Sequence, residues 1–325
     1  MASDTRITGQ FTIPPELSDK RLDQAAAELM PEHSRSRLQS WIKSGALTVN
    51  GKTRKPRDKV MMDDVLDLDA EPEVQVSWQA EPITLDVVYE DEHLLVINKP
   101  AGLVVHPAAG HADGTLVNAL LNYAPEVENL PRAGIVHRLD KDTSGIMVVA
   151  RSLIAHTSLV DQLQSRTMGR EYEAVVVGSL TGGATVDAPI GRHPQDRKRM
   201  AVVPSGKPAV THYRLVERFA AHTLVRCKLE SGRTHQIRVH MTHVRHPLVG
   251  DPVYGGRLRL PKGTTEALRE ALAAFTRQAL HAKKLTLEHP ETGEIVSWEV
   301  PLPEDMLQLI EALRKHAREL EHGDY

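Results

Sequence analysis

GIVHRLDKDTSGIMVVA, residues 134–150, holds the reading that decides the fold. Its middle sets Asp140, Lys141, Asp142, Thr143, Ser144 and Gly145 in one turn-prone segment. Asp, Thr and Ser bend the chain because their side chains hydrogen-bond to nearby backbone. The same residues also match the opening of a calcium loop, with oxygen-bearing side chains at its first, third and fifth places and glycine at the sixth. A calcium loop needs a bidentate glutamate at its twelfth place and a helix leaving it. Here the twelfth place is Arg151, a cation, and the run that follows the turn is the strand-like Ile146–Ala150. The segment is a turn that feeds a strand.

Outward from this segment, short strand-like runs dominate from about residue 83. They are LDVVYE, HLLVINK, GIMVVAR, EYEAVVVG, AVTHYRLVE, HTLVRCKLE, KLTLEHP and IVSWEV. Helical spacing occurs in TLVNALLNYA, TTEALREALAAF and EDMLQLIEALRKHAREL, where Met306, Ile310, Leu313 and Leu320 share a face. The strands do not alternate regularly with crossover helices. The expected fold class is therefore α+β, a mixed and largely antiparallel sheet over residues 83–325.

Residues 19–68 read as a separate small unit, after an N-terminal extension over 1–18. Leu22, Ala25, Ala26 and Leu29 recur at helical spacing before Pro31, and a second helix is predicted from an N-cap at Ser34 through Leu38, Trp41 and Ile42 to Gly45. Leu47 and Val49 then alternate ahead of Asn50-Gly51, a strong hairpin signal. The acidic, proline-containing stretch 69–82 reads as a linker. Two helices and a hairpin make a compact module whose outward cations include Arg35, Arg37, Lys43, Lys52, Arg54, Lys55, Arg57 and Lys59. A cluster so dense and of one sign fits a phosphate-facing patch.

Composition limits the alternatives. The 325 residues are 41% hydrophobic and 26% charged, a globular mix, and the formal charge of −3 gives no field that by itself draws nucleic acid. RNA binding has to rest on local patches. Aromatics at 4% exclude a sheet that stacks many bases. Cys227 is the one cysteine, no apolar run approaches a membrane span, and the start lacks a signal-peptide core. The cytoplasm is the expected location.

Two segments rich in donors compete for a chemical role. THQIRVHMTHVRHP carries His235, His240, His243 and His246, but Arg233, Arg238 and Arg245 lie among them and repel a zinc ion. Arginine and histidine together suit anions, phosphate above all. No P-loop, dinucleotide fingerprint or nucleophile elbow occurs, so neither a cofactor nor a metal is expected.

HRLDKDTSG resembles the catalytic motif of the RluA-type pseudouridine synthases, and the likeness extends through VINKPAGLVVHP, REYEAVVVG, GKPAVTHY, SGRTHQIRVHM and HPLVGDPVYGG. Residues 19–68 resemble the S4 RNA-binding module that precedes the catalytic domain in many members. The resemblance implies that Asp140 is the essential aspartate, that Arg138 enters the RNA stack in place of the displaced uridine, that Tyr172 packs on the target base, and that Arg238 is the basic partner of the aspartate. The basic cluster with Arg35, Arg37, Lys43, Lys52, Arg54 and Lys55, and Arg233 and His235 of the donor-rich segment, are the expected RNA contacts. The implied partner is ribosomal RNA of the large subunit (23S) or its precursor, with no membrane and no small-molecule cofactor. A monomer is expected, since no long coiled coil or apolar stripe is evident.

The chemistry agrees with these roles. Turning uridine into pseudouridine exchanges an N-glycosidic bond for a carbon–carbon bond without redox change, and one carboxylate can begin it. Attack at C1′, attack at uracil C6 and removal of the 2′ proton are all open to Asp140. Each requires the ionised form, which an adjacent arginine favours. A non-catalytic RNA-binding or ribosome-assembly factor is the competing reading; under it, changing Asp140 would leave function intact.

Overall fold

The computed structural model describes residues 6–31, 33, 35–70, 78–107, 111–196, 198–258, 260–261 and 263–323. Chain contacts divide it into two units, Met1–Ser77 and Trp78–Tyr325. Ser34, the expected N-cap, and half of the expected linker (71–77) lie outside the described residues.

In the first unit, β1 (Ile7–Thr12), α1 (Leu22–Leu29), α2 (Arg35–Ser44), β2 (Leu47–Val49) and β3 (Val65–Ala70) enclose one core. Leu22, Ala25 and Ala26 of α1 meet Leu38, Trp41 and Ile42 of α2 over Leu47, Leu66 and Leu68 of the sheet. The sheet order is β1-β3-β2, all antiparallel. Strand β1 falls in the stretch taken from sequence as an extension, and Asp69 and Ala70, taken as linker, belong to β3. Asn50 and Gly51 both adopt positive φ, +50° and +71°, and Val49 and Lys52 exchange backbone hydrogen bonds across them at 2.9 and 3.0 Å. This is the tight turn expected, although the long partner of β2 is β3, not the segment just after the turn.

The second unit runs β4 (Val87–Glu90), β5 (Leu94–Lys99), α3 (Leu116–Tyr123), β6 (Ser144–Ala150), α4 (Leu153–Gln164), β7 (Gly169–Val177), β8 (Ala184–Asp187), β9 (Ile190–Arg192), β10 (Met200–Val202), β11 (Val210–Arg218), β12 (His222–Leu229), α5 (Gln236–His243), α6 (Glu266–Ala274), β13 (Leu280–Glu288), β14 (Ile295–Glu299) and α7 (Glu304–His322). One sheet has the order β4-β5-β6-β13-β7-β12-β11-β8, with β14 also on β13, while β9 and β10 form a small hairpin. Every pairing in the large sheet is antiparallel except β6 with β13. The architecture is the α+β, largely antiparallel one expected from sequence.

Alternation along β7 assigns its two faces. Val175 packs with α6 and α7 through Leu268, Leu272, Met306 and Ile310. Tyr172, Ala174 and Val176 belong to the larger core, with α3, α4 and Ile237 and Met241 of α5. Gly145, where the Asp140 turn enters β6, has φ +121°, and a Cβ there would overlap the backbone of Ala282 on the parallel neighbour. Glycine is required by that close approach. The parallel seam between β6 and β13 therefore sits directly beneath the turn.

Candidate active site

The turn is held through its backbone and its two hydroxyls. The Asp140 carbonyl accepts the Thr143 N–H at 3.0 Å, closing it. Lys99, only 1% exposed at the end of β5, donates to the carbonyls of Pro100, Leu103 and Lys141 at 2.8, 2.9 and 3.0 Å. Arg277 donates to the Asp142 carbonyl at 3.1 Å, Gln278 to the Thr143 hydroxyl at 3.1 Å, and His281 shares a 2.9 Å hydrogen bond with Ser144. Burial lowers the Lys99 ammonium to about 8, against the opposing charges of Asp142 and Asp140. Asp142 thus contributes a carbonyl and nearby charge.

Asp140 emerges from this clamp with its side chain 19% exposed. Oδ2 accepts from Arg238 Nη1 at 2.9 Å, whereas Oδ1 has no hydrogen bond among the described residues and lies 3.9 Å from His235 Nε2. Arg238, on α5, turns its other edge to Asp251, with Nε–Oδ2 at 2.7 Å and Nη2–Oδ1 at 3.0 Å. Asp251 Oδ1 also accepts the backbone N–H groups of Val253 and Tyr254. Burial would strip the proton from Arg238, but the two carboxylates outweigh it and push its pKa above the usual arginine value. Asp251 is held below the carboxylate range, its burial outweighed by the bond from Arg238. One arginine therefore bridges a carboxylate at the cleft and a fully buried one.

Tyr254 braces the same group. Its ring lies 5.1 Å from the Arg238 guanidinium, and its hydroxyl bonds His235 Nδ1 at 2.8 Å and accepts the Met200 N–H at 2.9 Å. Burial lowers the pKa of His235. His240, two residues past Arg238, uses Nδ1 on Thr211 and Nε2 on the Ala188 carbonyl, and His246 bonds the Val177 carbonyl.

These groups open onto a cleft of about 370 Å³ lined by Asp140, Arg138, Tyr172, Arg233, His235 and Arg238. All the expected site residues of this unit meet there. Tyr172 is buried against the wall, and burial raises its phenol pKa, so it stays neutral near pH 7. Arg138 is exposed and makes no hydrogen bond or ion pair among the described residues; Arg233 bonds the Pro208 carbonyl at 3.0 Å. The six cations Arg35, Arg37, Lys43, Lys52, Arg54 and Lys55 belong to the first unit. There Arg35 pairs with the buried Asp23 at 3.0 Å, and Arg37 lies over the Trp41 ring at 4.9 Å. Lys43, Lys52, Arg54 and Lys55 are exposed with no side-chain ion pair among the described residues. Sequence reasoning gave no role to Lys99, Asp251 or Tyr254. Asp251 and Tyr254 sit in HPLVGDPVYGG, but their partner Arg238 is recognisable only once α5 is folded beside them.

A family model of RNA pseudouridylate synthases matches residues 93–243, and one of S4 domains matches residues 20–66. The chain is 62% identical over 303 residues to the ribosomal large subunit pseudouridine synthase D of Pseudomonas aeruginosa, covering 93% of this chain and 95% of that one. The chain belongs to the RNA pseudouridylate synthases. The synthase D of Escherichia coli K12 is 54% identical to this synthase over 315 residues, 97% of this chain and 96% of that one. Among solved structures, human RNA pseudouridylate synthase domain containing 4 aligns with a TM-score of 0.56 at 25% identity, over 70% of this synthase and 93% of that chain. Human RNA pseudouridylate synthase domain containing 1 aligns with a TM-score of 0.52 at 26% identity, over 75% and 97%. The enzyme is an isomerase with an S4 domain near its N-terminus. Among the described residues, no helix is long and apolar enough to cross a membrane.

Proposed function

We propose that this synthase isomerises uridines in large-subunit (23S) ribosomal RNA, in the cytoplasm and as a monomer, with Asp140 as the acting carboxylate. The catalytic domain of this reading is residues 83–325, and residues 19–68 are its RNA-binding domain. The observation that carries it is the posture of Asp140: Oδ2 is held by Arg238, and Oδ1, 3.9 Å from His235 Nε2, has no hydrogen bond among the described residues in a cleft that Tyr172 lines. The names of the relatives, ribosomal large subunit pseudouridine synthase D, support the choice of RNA.

The reaction breaks N1–C1′ and joins C5 to C1′ after the uracil turns over. The C5 proton leaves to water and N1 gains one. Asp140 begins it through Oδ1, at C1′, at C6 or on the 2′ proton, while Arg238 holds Oδ2 and aims the carboxylate. Tyr172 offers a neutral face to the extruded base. Unstacking that base costs a few kcal/mol, and the exposed Arg138 offsets part of it by filling the gap.

Pseudouridine mapping of large-subunit RNA, with and without the active gene product, tests this. The account expects specific sites to vanish and to return with the wild-type protein. An unchanged map would contradict it.

A further inference from the structure

Arg170 is a buried cation for which the reaction above has no use. It projects from β7 on the same face as Tyr172, two residues further on. It is 8% exposed, lines the cleft, and its Nε is sealed from solvent with no partner. Its guanidinium makes no hydrogen bond or ion pair among the described residues. The neighbouring arginines differ: Arg238 holds two carboxylates, and Arg226 is engaged by Glu173. A buried charge with no counter-charge is among the costliest features a fold can keep.

No described carboxylate pairs with it. Asp140, which lines the same cleft, gives Oδ2 to Arg238, and His137 receives the Val148 N–H on Nε2 at 3.0 Å. Burial and then the charge of Arg170 hold His137 down at about 3, so it is neutral. The same charge acts on Tyr172, opposing its burial. Gly232 passes so close that a Cβ there would lie 2.6 Å from Arg170 Nη1. The chain gives up a side chain at that position, and the guanidinium stays at the cleft.

We propose that Arg170 binds the phosphate of the flipped-out nucleotide and so sets the depth at which the base meets Tyr172 and Asp140. A carbonyl dipole of uracil would leave the charge uncompensated. A phosphate neutralises it, and its non-bridging oxygens match the guanidinium fork. A cleft of about 370 Å³ is in the range that encloses a whole small ligand. The proposal rests on the cleft being the uridine site, and it makes Arg170 a substrate-binding residue that sets register.

The test uses the full-length synthase and an oligoribonucleotide spanning a uridine that the wild-type enzyme isomerises. The phosphate 5′ or 3′ to that uridine is replaced by a neutral methylphosphonate. Arg170→Met is expected to lower kcat/KM about 10- to 100-fold on the all-phosphate RNA, with Arg170→Lys recovering part of it. The wild-type enzyme should lose a similar factor on one of the two methylphosphonate RNAs. On that RNA the methionine variant should lose nothing further, because both changes remove one interaction. Should that variant fail to fold, Gly232→Ala, whose Cβ displaces the guanidinium, goes through the same cycle. Losses that multiply on both methylphosphonate RNAs would overturn the proposal while leaving the isomerase reading intact. A wild-type enzyme that isomerises no uridine of large-subunit RNA would overturn both.

Discussion

At the scale of single residues, the site is organised by Arg238 rather than by Asp140. The guanidinium has two edges, and the buried one is fixed by Asp251, so the Nη1 that reaches Asp140 has little freedom. Asp251→Asn keeps the shape but replaces an acceptor oxygen with an amide donor facing the guanidinium. We expect kcat to fall roughly 100-fold with KM nearly unchanged, the loss of a buried charge-assisted contact worth ~3 kcal/mol. Steady-state kinetics on a defined RNA checks the split; a rise in KM alone would mean that Asp251 serves binding. Asp140, Arg138, Tyr172 and Arg238 were legible in the sequence because each sits in a short motif whose neighbours announce it. Asp251 was not, since its meaning lies in a partner 13 positions away that only the fold brings near.

At the scale of elements, the turn over residues 140–145 is fixed by Lys99 at the end of β5 and by the stretch that leads into β13. Lys99 and the 277–281 stretch take its carbonyls and hydroxyls in turn. Gly145→Ala would force the β6–β13 seam apart, at a cost of about 3 kcal/mol or more. Denaturant unfolding measures it, and wild-type stability would show that the seam yields. Several elements were legible because long apolar runs declared β5, β6, β7 and β12, and 3.6-residue spacing declared α3, α6 and α7. Others escaped, α5 and β1 among them for opposite reasons. Helix α5 carries Ile237, Val239 and Met241 at alternate positions, without a helical period, because it is buried on nearly every side. Strand β1 is half-exposed and short, and only pairing with β3 gives it a place.

At the scale of the whole molecule, a net charge of −3 leaves RNA affinity to local patches. Replacing Lys43, Lys52, Arg54 and Lys55 together should flatten the salt dependence, reducing the slope of log K against log salt by about 3 if each meets one phosphate of single-stranded RNA. An unchanged slope in filter binding would place recognition elsewhere. Stability should also depend on acid in a defined window. Burial holds His222 and His281 at about 4, below their value of about 6.5 in the unfolded chain. Below pH 6.5 the unfolded chain therefore takes up protons that the folded one refuses. The stability these rings contribute is present above pH 6.5 and is lost as pH falls toward 4, roughly 2 kcal/mol each by pH 5. Urea titrations at pH 7 and pH 5 read this, and equal stabilities would contradict it. The central claim is that one carboxylate, held by Arg238, starts the isomerisation. Tritium release from RNA labelled at uracil C5 tests it most directly: Asp140→Asn should release none while still binding the RNA, and release at the wild-type rate would contradict the account.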